Sequence, residues 1–209
     1  MMYILILLLS FLLCSCDNAE PTQEYDFSFM GIPITDNVDE FTKGLSTIGF
    51  EKAKPIPGLE YTGSNPYYDG TFVGENVKTL LRYEKQTFVG IDVIFTPSLK
   101  LNLGSDIIDI GQMYLGLYDK LRTGLYDKYN NDKWIIETFN DIPIELTDRD
   151  VINKINEGEV FRCRIFPNID QPHNIRPYIV LQINYNGVTI GYYNPVLLNK
   201  AFNNTIKDL

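Results

Sequence analysis

The stretch YIVLQINYNGVTIGYY, residues 178–193, decides the fold. Apolar residues alternate from Tyr178 to Tyr185 and again from Val188 to Tyr193, with Asn186-Gly187 between the two runs. Asn-Gly between alternating runs is the strongest short-range signal of a β-hairpin. A second pair of such runs lies upstream. Val77, Thr79, Leu81 and Tyr83 alternate with Lys78, Leu80 and Arg82, and after a turn near Lys85 the set Val89, Ile91, Val93, Phe95 continues until Pro97. Period-two runs this close together pair as antiparallel strands. Thr71–Gly74, Lys133–Phe139 and Val160–Phe166 read as further strands, the last turning Phe161, Cys163 and Ile165 inward.

Four helices are expected with them. Val38, Phe41, Leu45 and Ile48 recur at helical spacing and make one apolar face. Asn37 is placed to cap this helix with Glu40 three residues on, and Gly49 is placed to end it. Pro33 holds Ile32 extended, so the Gly-x-Pro before the helix is a rigid entry rather than a site. A longer helix spans Asp106 to Tyr129, capped by Ser105, with Ile107, Ile110, Tyr114, Leu117, Leu121 and Leu125 as its buried stripe. Within it LYDK occurs at Leu117 and at Leu125, copies too far apart around the helix to share a face well. Asp148–Asn156 forms a short helix capped by Thr147, and Pro195 to about Asn203 forms a last one. Grouped helices and antiparallel strands define an α+β fold, because βαβ crossovers would alternate regularly. The order gives two tandem units, α-β-β-β over residues 28–100 and α-β-β-β-β-α over 101–209, packed together.

The N-terminus addresses location. Tyr3 to Leu13 is apolar except for Ser10, too short for the roughly 20 residues of a membrane span, and Asp17 ends it. It reads as a secretory signal lacking the usual basic n-region. Leu13-Cys14-Ser15-Cys16 looks like a bacterial lipobox, so residues 1–15 are expected to leave and Cys16 to carry a lipid. Cys14 as the anchor, and a plain cleaved signal, are the alternatives. Residues 16–27 then form a tether whose ten polar residues reach about 15–20 Å. Cys163 is left as a lone thiol, so the fold must rest on its apolar core. A net charge of −9 without a basic cluster argues against nucleic acid as a partner.

Several short motifs occur in an order seen elsewhere. FMGIPI with an acidic patch and a closing GF, Gly70-Thr71-Phe72-Val73-Gly74, Phe95-Thr96-Pro97, Leu125–Tyr129 and Asn184–Asn194 together cover most of the mature chain. In this the chain resembles uncharacterised secreted proteins and lipoproteins of gram-negative gut anaerobes. It departs from them at Asn130, where they carry Gly, and in lacking a Trp near the start of the long helix. The resemblance implies an architecture like the β-lactamase-inhibitor-protein-like fold. It implies no activity and no functional residues.

Candidate sites are few. His173 is the single histidine, and a triad or a zinc site would need partners that do not cluster around it. Gly44–Gly49 misses the nucleophile-elbow spacing, and Ser46 falls mid-helix. Asp127–Asp132 puts Asp where a calcium loop needs Gly. Asp106 with Asp109, and Asp148 with Asp150, fit helix starts. Cys163, facing inward, reads as an inert small hydrophobe. Tyr61, Tyr67 and Tyr68 lie in the long Pro, Gly and Tyr loop, residues 54–70, beside Asn65 and Asp69. Exposed rings next to polar groups suit a glycan or peptide. The expectation is therefore a lipid-anchored envelope module, on the outer rather than the inner membrane, with its domain outside the cytoplasm. It would bind a protein, peptide or glycan through the Tyr loop or a sheet face, with no cofactor and no metal. A structural subunit of an envelope complex, and a hydrolase with converging carboxylates, are the alternatives.

Overall fold

In the computed structural model, residues 27–54, 65–95, 107–137, 140–143, 145–168, 176–197 and 199 are described. Their strands are β1 (Ser28–Phe29), β2 (Ile32–Pro33), β3 (Glu51–Ala53), β4 (Tyr67–Phe72), β5 (Glu75–Glu84), β6 (Thr87–Phe95), β7 (Trp134–Glu137), β8 (Phe161–Pro167), β9 (Tyr178–Asn184) and β10 (Gly187–Tyr193). The helices are α1 (Val38–Thr47), α2 (Ile107–Tyr129) and α3 (Asp148–Asn156). Strands β1 and β2 form a small ribbon, and the other eight form one antiparallel sheet in the order β3-β4-β5-β6-β10-β9-β8-β7. The fold class is thus α+β. The two halves meet at the last strand of each, where Gly90 to Ile94 of β6 pair with Tyr193 to Thr189 of β10.

Most of the core lies on one face of this sheet. Phe41 and Leu45 of α1, Leu115, Tyr118, Leu121 and Leu125 of α2, and Val151 and Ile155 of α3 pack there over Val93, Cys163, Leu181 and Ile190. Each large apolar side chain buried this way contributes about 1.5–3 kcal/mol. Local signals set the ends of α1. The Asn37 side chain accepts the Glu40 N–H, and Gly49 takes φ +89°. The N–H groups of Phe50 and Gly49 then close on the carbonyls of Leu45 and Ser46. This turn carries Phe50 into the core and leaves Ile48, expected on the buried face, 38 % exposed. Thr147 and Asp150 form a reciprocal capping box at the start of α3.

Four expectations are corrected. The buried stripe of α2 runs through Leu115 and Tyr118, while Tyr114 and Leu117 flank it; the side chains of Ile107 and Ile110 lie outside the described residues. In β6, Arg82 pairs with Gly90 but Tyr83 pairs with Phe88, so Val89 is the extra residue of a β-bulge. The bulge exchanges faces, and Phe88 rather than Val89 joins the core. The closing hairpin slips by one residue: Gly187 pairs with Asn184, so Tyr185 and Asn186 make the turn. Asn184 accepts the Asn186 N–H at 2.8 Å and leaves Tyr185 at the tip. Finally, Tyr67 and Tyr68 belong to strand β4, not to a loop, because they pair with Leu80 and Thr79 of β5. The short strands β1, β2 and β3 were not expected. The helix expected from Pro195 to about Asn203 falls mostly outside the described residues.

The β5–β6 turn holds Lys85 at φ 44° and Gln86 at φ 68°. Left-handed backbone costs an ordinary L-residue about 1–2 kcal/mol. Replacing the pair with Asn-Gly is expected to raise stability by about 1 kcal/mol. Urea unfolding checks this, and an unchanged or lower midpoint would contradict it.

Candidate functional site

Helix α2 directs three side chains toward one place. Tyr118, Arg122 and Tyr126 are each four residues apart, and every step advances about 40° beyond a full turn. They therefore form a slanting row, which faces Asp141 on the connection between β7 and α3. The Tyr118 hydroxyl donates to Asp141 Oδ1 at 2.9 Å and Arg122 Nη1 donates to Oδ2 at 3.2 Å. The Ile142 N–H adds a third bond to Oδ1 at 2.8 Å. Asp119 approaches the same guanidinium at 3.9 Å from within the helix. Asn140, in the left-handed region at φ 54°, fixes this connection to β8: it donates to the Val160 carbonyl, and its own carbonyl accepts the Arg162 N–H.

Around this cluster opens a cleft of about 710 Å³, lined by Arg122, Thr123, Tyr126, Asn140, Asp141 and Glu145 among others. Among the described residues, its one cation, Arg122, is outnumbered by the carboxylates of Asp119, Asp141 and Glu145. Burial works against the Arg122 charge, but Asp141 and Asp119 outweigh it and hold the guanidinium more firmly protonated than usual. Burial, helped by Asp141, pushes the Tyr118 hydroxyl far above the ordinary tyrosine range. Burial also raises Asp119 against the pull of Arg122, with Asp148 and Asp141 adding to it. With Arg122 set between two carboxylates, the cleft offers no surplus positive charge to an anion. It offers hydrogen-bonding edges and part of an aromatic ring.

Cys163 forms the floor beneath the row. It is fully buried, and burial followed by Asp141 pushes its thiol up to about 11. The thiolate is the reactive form. A thiol reagent at pH 8 is therefore expected to modify Cys163 only after denaturation. Rapid modification of the folded chain would show that the floor opens.

The expected binding residues do not assemble. Tyr67 is 4 % exposed and packs with Leu80 and Ile94 in a small cluster apart from the main core. Tyr68 points to the other face and packs half-buried against the main core, while Asp69 pairs with Lys78. Tyr61, Cys16 and His173 lie outside the described residues. Ser46 is exposed, and its hydroxyl donates to the Thr42 carbonyl one turn earlier. The cleft itself was foreshadowed by the duplicated LYDK. Read as coincidence, it supplies Tyr118 and Tyr126, with Arg122 midway between them.

A second polar cluster lies on the sheet face away from the main core. Asp92, 3 % exposed, accepts from Arg82 Nε at 2.5 Å and from the Tyr193 hydroxyl. Burial raises its carboxyl, opposed by Arg82 and Tyr193. Tyr178 stacks at 5.1 Å from Tyr193 and 5.8 Å from Phe166, with the Arg164 guanidinium 5.9 Å from its ring centre. No protein family, curated protein or solved structure matches the chain.

Proposed function

We propose that this is a lipid-anchored envelope module that captures a neutral, hydrogen-bonding ligand, a short glycan segment, in the cleft between α2 and residues 140–145. The observation that carries it is the cleft's composition: a partly exposed tyrosine ring, an amide, a hydroxyl and a carboxylate surround an arginine already neutralised by two aspartates. Rings and polar edges of this kind suit a sugar, and the excess of carboxylates disfavours polyanions. Asp141 already receives three donors, which fits a structural anchor for the cleft better than a proton shuttle. The lipobox at Cys16 supports the anchor. Two helix-and-strand units share one antiparallel sheet, the arrangement expected of a β-lactamase-inhibitor-protein-like fold.

Titration with neutral envelope and dietary oligosaccharides tests the reading. Tyr126→Ala and Glu145→Ala should each weaken binding by at least about tenfold, the equivalent of 1.4 kcal/mol. Equal binding by both variants, or capture of a peptide instead, would overturn it.

A further inference from the structure

One end of the sheet carries apolar side chains where turns ordinarily carry polar ones. Met30-Gly31 joins β1 to β2 with φ 51° and 81°, and Val73-Gly74 joins β4 to β5 with φ 54° and 80°. Two-residue turns with positive φ at both positions strongly prefer Asn-Gly or Asp-Gly. For a β-branched residue such as Val73 the left-handed region is a genuine outlier. Met30 and Val73 are nonetheless 46 % and 53 % exposed. The two tips leave the core at neighbouring points, because Phe29 and Phe72, the residues just before them, stack at 5.5 Å.

Two more exposed apolar groups share this end. Phe72 stacks at 6.1 Å on Phe95, which lines a cavity of about 240 Å³ with Met113, itself 43 % exposed. The β9–β10 turn emerges at the same end, since Val77 pairs with Phe95 and Ile94 with Thr189. Its tip residue, Tyr185, is 68 % exposed. The opposite end provides an internal control. The ten residues of β5 separate Val73-Gly74 from the Lys85-Gln86 turn by about 33 Å. That turn has the same pair of positive φ values but a charged and a polar side chain.

We infer that this end rests on the lipid bilayer, with Met30, Val73, Met113 and Tyr185 dipping into its interfacial layer. The occupant follows from where the chain enters. The described fold begins at Phe27, three residues before Met30, and only ten residues, Asp17 to Asp26, separate it from Cys16, at most about 33–36 Å of chain. The tips are therefore within reach of the surface that holds a Cys16 lipid. Apolar side chains with a tyrosine suit the headgroup boundary. The nearby Glu75 is paired with Lys120 at 3.5 Å, so a zwitterionic surface meets little excess charge. The inference rests on the lipid-anchor part of the proposed function and is independent of the cleft.

The test uses the full lipidated chain reconstituted into phosphatidylcholine vesicles containing headgroup-labelled nitroxide lipid. A fluorophore is placed at Val73→Cys or, as the control, at Lys85→Cys. Quenching at position 73 and not at 85 is expected. Val73→Asn should raise the unfolding temperature and lower quenching of a probe at Met30→Cys. Chains that float with the vesicles but show equal or no quenching at the two positions overturn the inference while leaving the anchor intact. Failure to float, with an unacylated Cys16 by mass spectrometry, overturns both.

Discussion

Gly90→Ala is expected to be the most damaging single-methyl change in the described fold. The added carbon would collide with the backbone carbonyl oxygen of Tyr192. A side chain could rotate away, but this oxygen belongs to the strand that joins the two halves, so β10 itself would have to move. Gly90 also sits beside the bulge at Val89, whose carbonyl accepts the Asn194 N–H at 2.8 Å, so the neighbouring backbone is fixed as well. Overpacking costs about 1–3 kcal/mol where side chains can adjust. Here the loss should be on the order of 3 kcal/mol or more. Gly116→Ala is the matched control, because its added carbon meets nothing within 4 Å and a helix interior prefers Ala to Gly. Urea unfolding should show a large fall for the first and none for the second. A Gly90 variant within about 1 kcal/mol of the parent would mean that the β6–β10 seam can slide.

The second large effect is expected at Asp92. Asp92→Ala deprives the Tyr193 hydroxyl of its acceptor and takes from Arg82 its buried carboxylate. Removing one partner of a buried pair costs about 3–5 kcal/mol. Because the Arg82 side chain is 27 % exposed, solvent recovers part of this, and about 3 kcal/mol is the expected loss. Replacing Arg82, Asp92 and Tyr193 together with Met, Leu and Phe should return most of it. The carboxyl also has a pH signature. Its folded pKa is raised by burial, so the folded chain holds the Asp92 proton more tightly than the unfolded chain does. The stability linked to that proton is fully present below the unfolded value, about 3.9. It is lost as pH rises through the folded one. Relative to Asp92→Asn, the parent should therefore gain stability as pH falls toward 4. The opposite slope would mean that Arg82 and Tyr193 override burial.

The elements with short-range rules were legible in the sequence. Asn37, Gly49, Thr147 and Asp150 obey capping rules that involve only their neighbours: α1 begins after Asn37 and ends before Gly49, and α3 begins after Thr147. Register was harder to read. The bulge at Val89 and the one-residue slip at Gly187 each move side chains relative to a strict alternation, and neither leaves a compositional mark. Tyr67 and Tyr68 sit in a stretch whose Pro and Gly content reads as loop, yet pairing with β5 draws them into the sheet. The cleft depended on contacts between distant residues: Tyr118 meets Asp141 twenty-three positions on, and Cys163 comes from a third element. Only the repeated LYDK, which holds Tyr118 and Tyr126, was noted in the sequence, and it carried no meaning without Arg122 between the copies and Asp141 opposite.

The seam between β6 and β10 also sets the order in which this chain can mature. Tyr193 reaches Asp92 across 101 positions, so the contact that locks the halves is among the longest in sequence. Closing so long a loop must precede any gain from the contact, which slows folding. Until residues 187–193 have been synthesised, β6 has an open edge with no strand to complete the centre of the sheet. On the export route proposed above, this delay would keep the nascent polypeptide competent for translocation, because the finished sheet forms only after its last hairpin has arrived.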